Sequence, residues 1–243
     1  IAGSYAPGGH VNTSKLHIVT GGTYIGNTEN LGIFGSGTGT SRPFYINGGT
    51  FQSNTNRVTY SSSSSLDIET TSYNNLQLSP TSGTPTYSLT GNLTGTNAIK
   101  SSLDITNSSA TLDTTASDYN IEVTSFLNNG NFTANESTVT FKGEEGAIYG
   151  DFTGSSSFYK VVVDHEDNTD IVGDIRISAA NNAEAFKITS GTVTLYANLE
   201  VNGKMIVGSS TGTATFQTYA DVLPGEITID INNNASPVDC DNC

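Results

Sequence analysis

A short acidic segment, DHEDNTD at positions 164–170, offers oxygen atoms at alternate positions. Alternate side chains of an extended strand share one face, so Asp164, Glu166 and Asp170 would present their carboxylates together. Hard cations such as calcium prefer oxygen ligands of this kind. The segment that matches it in an upstream repeat, SPTSGTPT, is not acidic, so the fold itself does not require the charge. The spacing therefore predicts a calcium site at these three residues, with a solvated acidic turn as the alternative.

Two further patterns are typical of enzymes, but their surroundings do not fit. Residues 168–170 spell the NTD of pectin-degrading β-helix hydrolases and Arg176 opens an RIS, yet the paired Asp and the GHG that belong between them are missing. Residues 208–212 match G-x-S-x-G, a nucleophile elbow that has to be followed by an Asp and then a His. No His follows His165. The sequence therefore predicts no catalytic residues, and no cofactor other than calcium.

The two cysteines, Cys240 and Cys243, form a CDNC motif at the C-terminal end of the sequence. A zinc site needs two further ligands, and a haem attachment needs a His directly after the second Cys. A local disulfide formed in an oxidising compartment is the preferred interpretation. Free or interchain thiols are the alternative.

The elements that would position these residues are short strands separated by glycine-containing turns. In residues 137–141, Val139 and Phe141 share one face of a period-two pattern, which is typical of a half-buried strand. A second strand of this type follows at Val161 and Val163. The glycines between the two strands permit sharp bends.

The same blocks of sequence recur at a nearly constant distance. Residues 51–60 match residues 132–141, which lie 81 positions later, and residues 102–112 match residues 185–195, 83 positions later. Each copy of about 82 residues contains about four shorter units, so one unit is on the order of 20 residues, the length of one β-solenoid coil. The sequence therefore predicts an all-β chain folded as a single β-solenoid rod of roughly 20-residue coils.

The repeats divide the chain into three predicted parts. The N-terminal part, residues 1–14, is Gly-rich and is interpreted as an arm or an irregular first turn. The solenoid covers residues 15–221, with long repeats at about 46–129 and 130–212, and residues 222–243 form a C-terminal strand and a polar tail. Because the chain begins at Ile1 without Met or a leader, we expect a processed mature product or an excised piece.

Matched apolar residues of the two repeats should face inward and stack from coil to coil. The predicted core residues are Leu76, Leu78, Leu103, Ile105, Val139, Phe141, Val161, Val163, Phe186 and Ile188.

The chain is strongly acidic, with 23 Asp and Glu residues against 9 Lys and Arg residues and a formal net charge of −14. A surface with this charge repels phosphate backbones, which argues against nucleic acid as a partner. No apolar segment reaches the roughly 20 residues that a membrane-spanning helix needs.

The blocks G-x-F-x-A-x-x-S-T-V-T-F (residues 130–141) and F-Y-K-V-V-V (residues 158–163) resemble the strand repeats of large extracellular bacterial proteins. These proteins, which include adhesin-like and surface-layer-like chains, form right-handed parallel β-helices. The resemblance covers residues 46–216 and implies a right-handed β-helix that is secreted or displayed on the cell surface.

Three functions remain open at this point. The leading hypothesis is a structural extracellular protein without enzymatic activity, a rod that assembles head to tail with copies of itself. Its assembly element would be the alternating strand with Ile227, Ile229 and Ile231, which could pair with the edge of a neighbouring copy. The second hypothesis is an adhesin stalk or glycan-binding module, which an exposed row of aromatic side chains would favour. A polysaccharide-active enzyme is the weakest of the three.

Overall fold

The chain winds into a β-solenoid of about 9 coils, each about 23 residues long. The computed structural model describes residues 1–179, 183–208 and 213–219, together with the backbone of residues 229–231 and 238–240. Each strand pairs in parallel with the equivalent strand of the next coil, about 4.8 Å away. The predicted all-β solenoid is confirmed, with coils slightly longer than the roughly 20 residues expected from the repeat.

Among the described residues, the solenoid has 25 strands of 3 to 12 residues and three one-turn 3₁₀ helices. The 3₁₀ helices are Gly39–Ser41, Gly95–Asn97 and Gly154–Ser156. In chain order, the strands are β1 (Gly3–Tyr5), β2 (Val11–Thr13), β3 (Leu16–Val19), β4 (Gly22–Ile25), β5 (Leu31–Ile33), β6 (Phe44–Asn47), β7 (Thr50–Gln52), β8 (Arg57–Tyr60), β9 (Leu66–Ile68), β10 (Asn75–Leu78), β11 (Thr86–Leu89), β12 (Ile99–Ile105), β13 (Thr111–Asp113), β14 (Ile121–Asn128), β15 (Asn131–Thr133), β16 (Thr138–Gly143), β17 (Gly146–Gly150), β18 (Lys160–Ile171), β19 (Ile175–Ile177), β20 (Glu184–Leu195), β21 (Leu199–Val201), β22 (Lys204–Val207), β23 (Ala214–Thr218), β24 (Ile229–Ile231) and β25 (Val238–Cys240).

The largest sheet has 13 strands and runs from β2 to β25 in the order β2-β5-β8-β10-β12-β14-β16-β18-β20-β22-β25, with β17 and β23 beside this path. Smaller sheets are β1-β4-β7, β15-β13-β11-β9, β19-β21-β24 and β3-β6. The long strand β18 bends within the large sheet. Val161 in its first part lies opposite Val139 of β16, and Ile171 in its last part lies opposite Ile148 of β17.

A single apolar core follows the inside of the coils. All ten predicted core residues are buried, which confirms the inward face of each strand. Four buried phenylalanines cluster in the middle of the chain, and the rings of Phe152 and Phe158 stack with centroids 4.2 Å apart. Phe126 packs edge-on against Phe152 at 4.9 Å and against Phe132 at 5.3 Å. Burial of each such side chain stabilises the fold by about 1.5–3 kcal/mol.

The long sequence repeat is also present in the backbone. Asn54 and Asn135, which lie 81 positions apart, both adopt a left-handed conformation, with φ of 45° and 47°. The turn at each asparagine is closed by a backbone hydrogen bond of 3.0 Å, from Asn56 to Ser53 in one copy and from Ser137 to Ala134 in the other. The repeat is therefore confirmed at the level of a single turn.

Both terminal parts of the chain contain strands that pair with the solenoid. In residues 1–14, predicted to be an arm or an irregular first turn, β1 pairs with β4 and β2 pairs with β5. At the other end, β24 pairs with β21 and β25 pairs with β22. No helix in the described part of the chain is long and apolar enough to cross a membrane.

Candidate functional site

The acidic segment predicted to bind calcium forms the bend of β18. The Asp164 carboxylate accepts hydrogen bonds from the Thr189 hydroxyl at 2.8 Å and the Ser190 hydroxyl at 3.1 Å, both from the next coil. Its other oxygen lies 3.6 Å from the ammonium of Lys142. Asp164 is therefore occupied by neighbouring side chains.

The strand register shifts between Asp164 and Asn168, within the segment that carries the other two predicted ligands. Asp170 accepts a 2.6 Å hydrogen bond from the Asn168 amide, whereas Glu166 is exposed and lines a different surface depression. In the described part of the chain, no group of three or more His, Cys, Asp or Glu side chains is placed to hold a metal ion. The structure does not gather Asp164, Glu166 and Asp170 into one ligand set.

His165, between these carboxylates in sequence, points into the core. The side chain is fully buried, and its Nδ1 is hydrogen-bonded to the Thr169 hydroxyl. Burial lowers the pKa of His165, an effect partly offset by the Thr124 backbone and the Asp164 carboxylate. Its role is in the packing of the bend.

The outer surface beside this bend carries a row of aromatic and apolar side chains. We call it the tyrosine face and define it as Tyr149, Val172, Tyr196 and Tyr219. Tyr149, Val172 and Tyr219 are 43%, 45% and 41% exposed, and Tyr196 is half-buried. The rings of Tyr196 and Tyr219 stack with centroids 4.8 Å apart and planes 28° apart.

Strand register places these four residues one above the other. The backbone N–H groups of Val172, Tyr196 and Tyr219 donate hydrogen bonds of 2.9, 2.8 and 3.0 Å to carbonyls of the preceding coil. Each of Tyr149, Val172 and Tyr196 directly follows an inward apolar residue and therefore points outward. The row thus crosses four successive coils along the solenoid axis.

Sequence reasoning missed this row, although a signal for it exists. The tripeptides IYG at 148–150, IVG at 171–173, LYA at 195–197 and TYA at 218–220 recur every 23 or 24 residues. Each has a β-branched or apolar residue, then Tyr or Val, then a small residue. These tripeptides align when the sequence is compared with itself at the length of one coil. The comparison at the long repeat of about 82 residues does not align them.

A polar ladder runs parallel to the tyrosine face. Asp170, Thr194 and Gln217 occupy equivalent positions in three successive coils, two residues before Val172, Tyr196 and Tyr219. The Gln217 amide donates a 3.1 Å hydrogen bond to the Thr194 hydroxyl, which donates a 3.0 Å hydrogen bond to the Asn168 side-chain oxygen. Together with the bond from Asn168 to Asp170, this chain of hydrogen bonds fixes the ladder across the coils.

The surroundings of the tyrosine face are acidic. The four segments that build it, residues 144–149, 166–172, 190–196 and 213–219, contain five carboxylates and no Lys or Arg. The carboxylates are Glu144, Glu145, Glu166, Asp167 and Asp170. Glu145, Tyr149 and Asp170 line one shallow depression, which opens beside the row. The face therefore combines aromatic rings, hydrogen-bonding groups and negative charge.

The remaining predicted sites lie at the C-terminal end. The backbone of Ile229 and Ile231 pairs with Leu199 and Val201 of the same chain, and Ile227 lies outside the described residues. The backbone of Cys240 pairs with Val207, whereas Cys243 lies outside the described residues. The disulfide stays a prediction.

No family model, curated protein or solved structure matches this chain.

Proposed function

We propose that the chain is an extracellular or cell-surface binding module that holds a glycan on its tyrosine face. The observation that carries this proposal is the tyrosine face itself, in which two exposed tyrosines, one half-buried tyrosine and one exposed valine line up across four successive coils. Monomeric proteins rarely leave such apolar side chains exposed in a contiguous group unless the surface binds something. A tyrosine ring offers a flat apolar face and a polar hydroxyl, which suits a sugar ring with its C–H face and its rim of hydroxyls.

The rest of the surface supports the same proposal. Binding sites usually combine an apolar base with a few polar groups that fix the ligand's orientation. Here Asp170 and Gln217 supply an acceptor and a donor beside the rings, and the buried Thr194 between them holds the Gln217 amide in place. The extracellular location is part of the proposal and rests on the resemblance to secreted β-helix repeats.

Glycan binding can be tested with a panel of soluble and insoluble polysaccharides in pull-down and affinity electrophoresis experiments. The test variant combines Tyr149→Ala, Tyr196→Ala and Tyr219→Ala, and we expect it to lose at least about tenfold in affinity because the stacking surface is gone. Phe34→Ala is the control, since Phe34 is 52% exposed but lies outside the tyrosine face. Retained affinity in the triple variant, or no binding of the wild-type chain to any glycan, would refute the proposal.

A second proposed function is head-to-tail assembly into a filament. Among the described strands, β24 and β25 each pair with a partner on one side only, which leaves a backbone edge that a second copy could extend. A contact of this kind joins two different surfaces and does not close, so it propagates.

Light scattering and negative-stain microscopy of the 243-residue chain test the assembly proposal. We expect particle mass to grow with concentration and to stop growing when residues 222–243 are deleted. A chain that stays monomeric at high concentration, or filaments that survive the deletion, would rule out assembly through this strand.

A further inference from the structure

We infer that the tyrosine face selects an uncharged, linear polysaccharide whose chain lies along the solenoid axis. This inference rests on the proposed glycan binding and adds the ligand's charge, shape and direction.

The direction follows from the arrangement of the rings. Tyr149 and Tyr219 are separated by three coil steps, which corresponds to about 14 Å along the axis. Val172 lies between Tyr149 and Tyr196 and is smaller than either ring, so the row has an aromatic surface at each end and a lower centre. A ligand that contacts both ends has to be extended and has to follow the axis. A single sugar ring covers only one end.

The shape follows from the polar ladder. Asp170, Thr194 and Gln217 lie two residues away from the row along their strands, a separation of about 7 Å. They are spaced one coil apart, as the row is. Asp170 and Gln217 are the two that reach the surface, because Thr194 is only 5% exposed. The rings of Tyr196 and Tyr219 stack on each other along the axis and so present their edges to the solvent. A linear glycan has apolar ring faces and a line of hydroxyls along its edge, so it can pack along these tyrosine edges while its hydroxyls reach Asp170 and Gln217.

The charge preference follows from the five carboxylates. The basic residue closest in sequence to these carboxylates is Lys142. Its ammonium lies 3.6 Å from the Asp164 carboxylate and is already paired with it. A polymer bound on the face would place its own charges within about 10 Å of Glu145 and Asp170, a distance at which salt does not fully screen their repulsion. An anionic glycan is therefore disfavoured, whereas an uncharged one meets only hydrogen-bond acceptors.

The test compares two ligands that share one backbone and differ in charge at C6, and the salt dependence separates the effect of charge from that of the lost hydroxyl. The first is the neutral hexose polymer that binds best in the panel, and the second is its C6-oxidised form, in which each primary hydroxyl has become a carboxylate. At low salt, we expect the oxidised form to bind at least about tenfold more weakly, and the difference to shrink as salt is added. Oligosaccharides of increasing length should bind progressively better until the row is covered.

A charge variant provides the matched control. Glu144→Gln, Glu166→Gln and Asp167→Asn together remove three exposed carboxylates without touching the rings or the ladder. We expect unchanged affinity for the neutral polymer, an unchanged melting curve and a smaller penalty for the oxidised polymer.

Several outcomes would overturn the inference. Equal or tighter binding of the oxidised polymer would refute charge selection while leaving glycan binding intact. Tighter binding of a cationic polymer, such as chitosan or polylysine, would show that the acidic surroundings attract charge and would replace the neutral ligand with a basic one. Equal affinity for a monosaccharide and a long oligosaccharide would refute the axial direction. Failure of every glycan to bind would refute the proposed function itself.

Discussion

A buried ion pair joins two coils near the N-terminal end of the solenoid. The Arg42 guanidinium donates to the Glu69 carboxylate, and the two side chains are only 14% and 7% exposed. Arg42 also donates a 2.8 Å hydrogen bond to the Gly39 carbonyl and lies over the Tyr45 ring. Removing one partner of such a pair leaves the other charge buried without compensation.

We therefore predict that Arg42→Ala lowers the free energy of unfolding by about 3 kcal/mol. The control is Arg176→Ala, because Arg176 forms a similar pair with Glu200 but both side chains are about 40% exposed. That exposed pair should contribute no more than about 1 kcal/mol. Urea unfolding followed by circular dichroism measures both, and equal effects of the two substitutions would contradict the prediction.

His165 makes the stability of the bend depend on pH. Burial lowers the pKa of His165 in the folded chain below its ordinary value of 6.5. As the pH falls through 6.5, the unfolded chain takes up a proton before the folded chain does, so folding becomes less favourable. This contribution to stability is fully present above pH 6.5 and is lost as the pH falls toward the folded-state pKa.

We expect the melting temperature to be lower at pH 5.5 than at pH 7.5, and we expect His165→Gln to reduce that difference. His10→Gln provides the comparison with a surface histidine, since the His10 side chain is 63% exposed and lies 3.0 Å from Glu29; we expect the larger change from His165→Gln. A His165→Gln variant with the same pH dependence as the wild-type chain would show that other groups cause it.

At the scale of the elements, the three 3₁₀ helices form a recurring corner at which the chain turns. Each 3₁₀ helix follows a threonine and begins with a glycine, and Gly39, Gly95 and Gly154 have φ of 57°, 57° and 55°. No other atom lies within 4 Å of where a Cβ would sit on any of the three. The left-handed backbone, not a lack of space, therefore selects glycine here.

Gly154→Ala should accordingly destabilise the chain by about 1 kcal/mol, because alanine has to be forced into the left-handed conformation. Gly9→Ala provides the comparison, since Gly9 is equally uncrowded but its φ is not positive. Chemical denaturation of the two variants separates backbone strain from loss of flexibility. If both substitutions shift the denaturation midpoint equally, the left-handed backbone is not the reason for the glycine at this position.

The strands could be predicted from sequence because inward residues such as Val139 and Val161 repeat with the coils and alternate with polar residues. The tyrosine face could not be predicted in this way, because Tyr149 and Tyr196 point outward, and the packing of the solenoid does not restrict the residue type at outward positions. In upstream coils, the strand positions in register with Tyr149 hold residues such as Gln77 and Asp104. The calcium site stays a prediction. Its alternation assumes a straight strand, whereas the register of β18 shifts between Asp164 and Asn168.

At the scale of the whole molecule, each coil contacts only its neighbours, so stability should be distributed along the axis. Phe126→Ala removes a ring that packs against Phe132, Phe152 and Phe158, and such a truncation costs about 3–5 kcal/mol. We expect faster hydrogen exchange in the coils on either side of Phe126 and little change in β3 and β4.

Exchange measured by mass spectrometry on peptic fragments checks this expectation. Phe34→Ala serves again as the control, because its exposed ring should not affect protection in the central coils. A uniform increase in exchange along the whole chain in the Phe126 variant would mean that the solenoid opens as one cooperative unit instead of coil by coil.

The same stacking determines how the rod would respond to mechanical load. The hydrogen bonds between parallel strands run from coil to coil, so a pull on the two ends acts along them and opens one coil before the next. Each released coil of about 23 residues frees at most about 80 Å of chain. A ligand held across several coils would tie them together and resist that opening. We therefore expect the rod to yield in steps under tension, and to yield later where the tyrosine face is occupied.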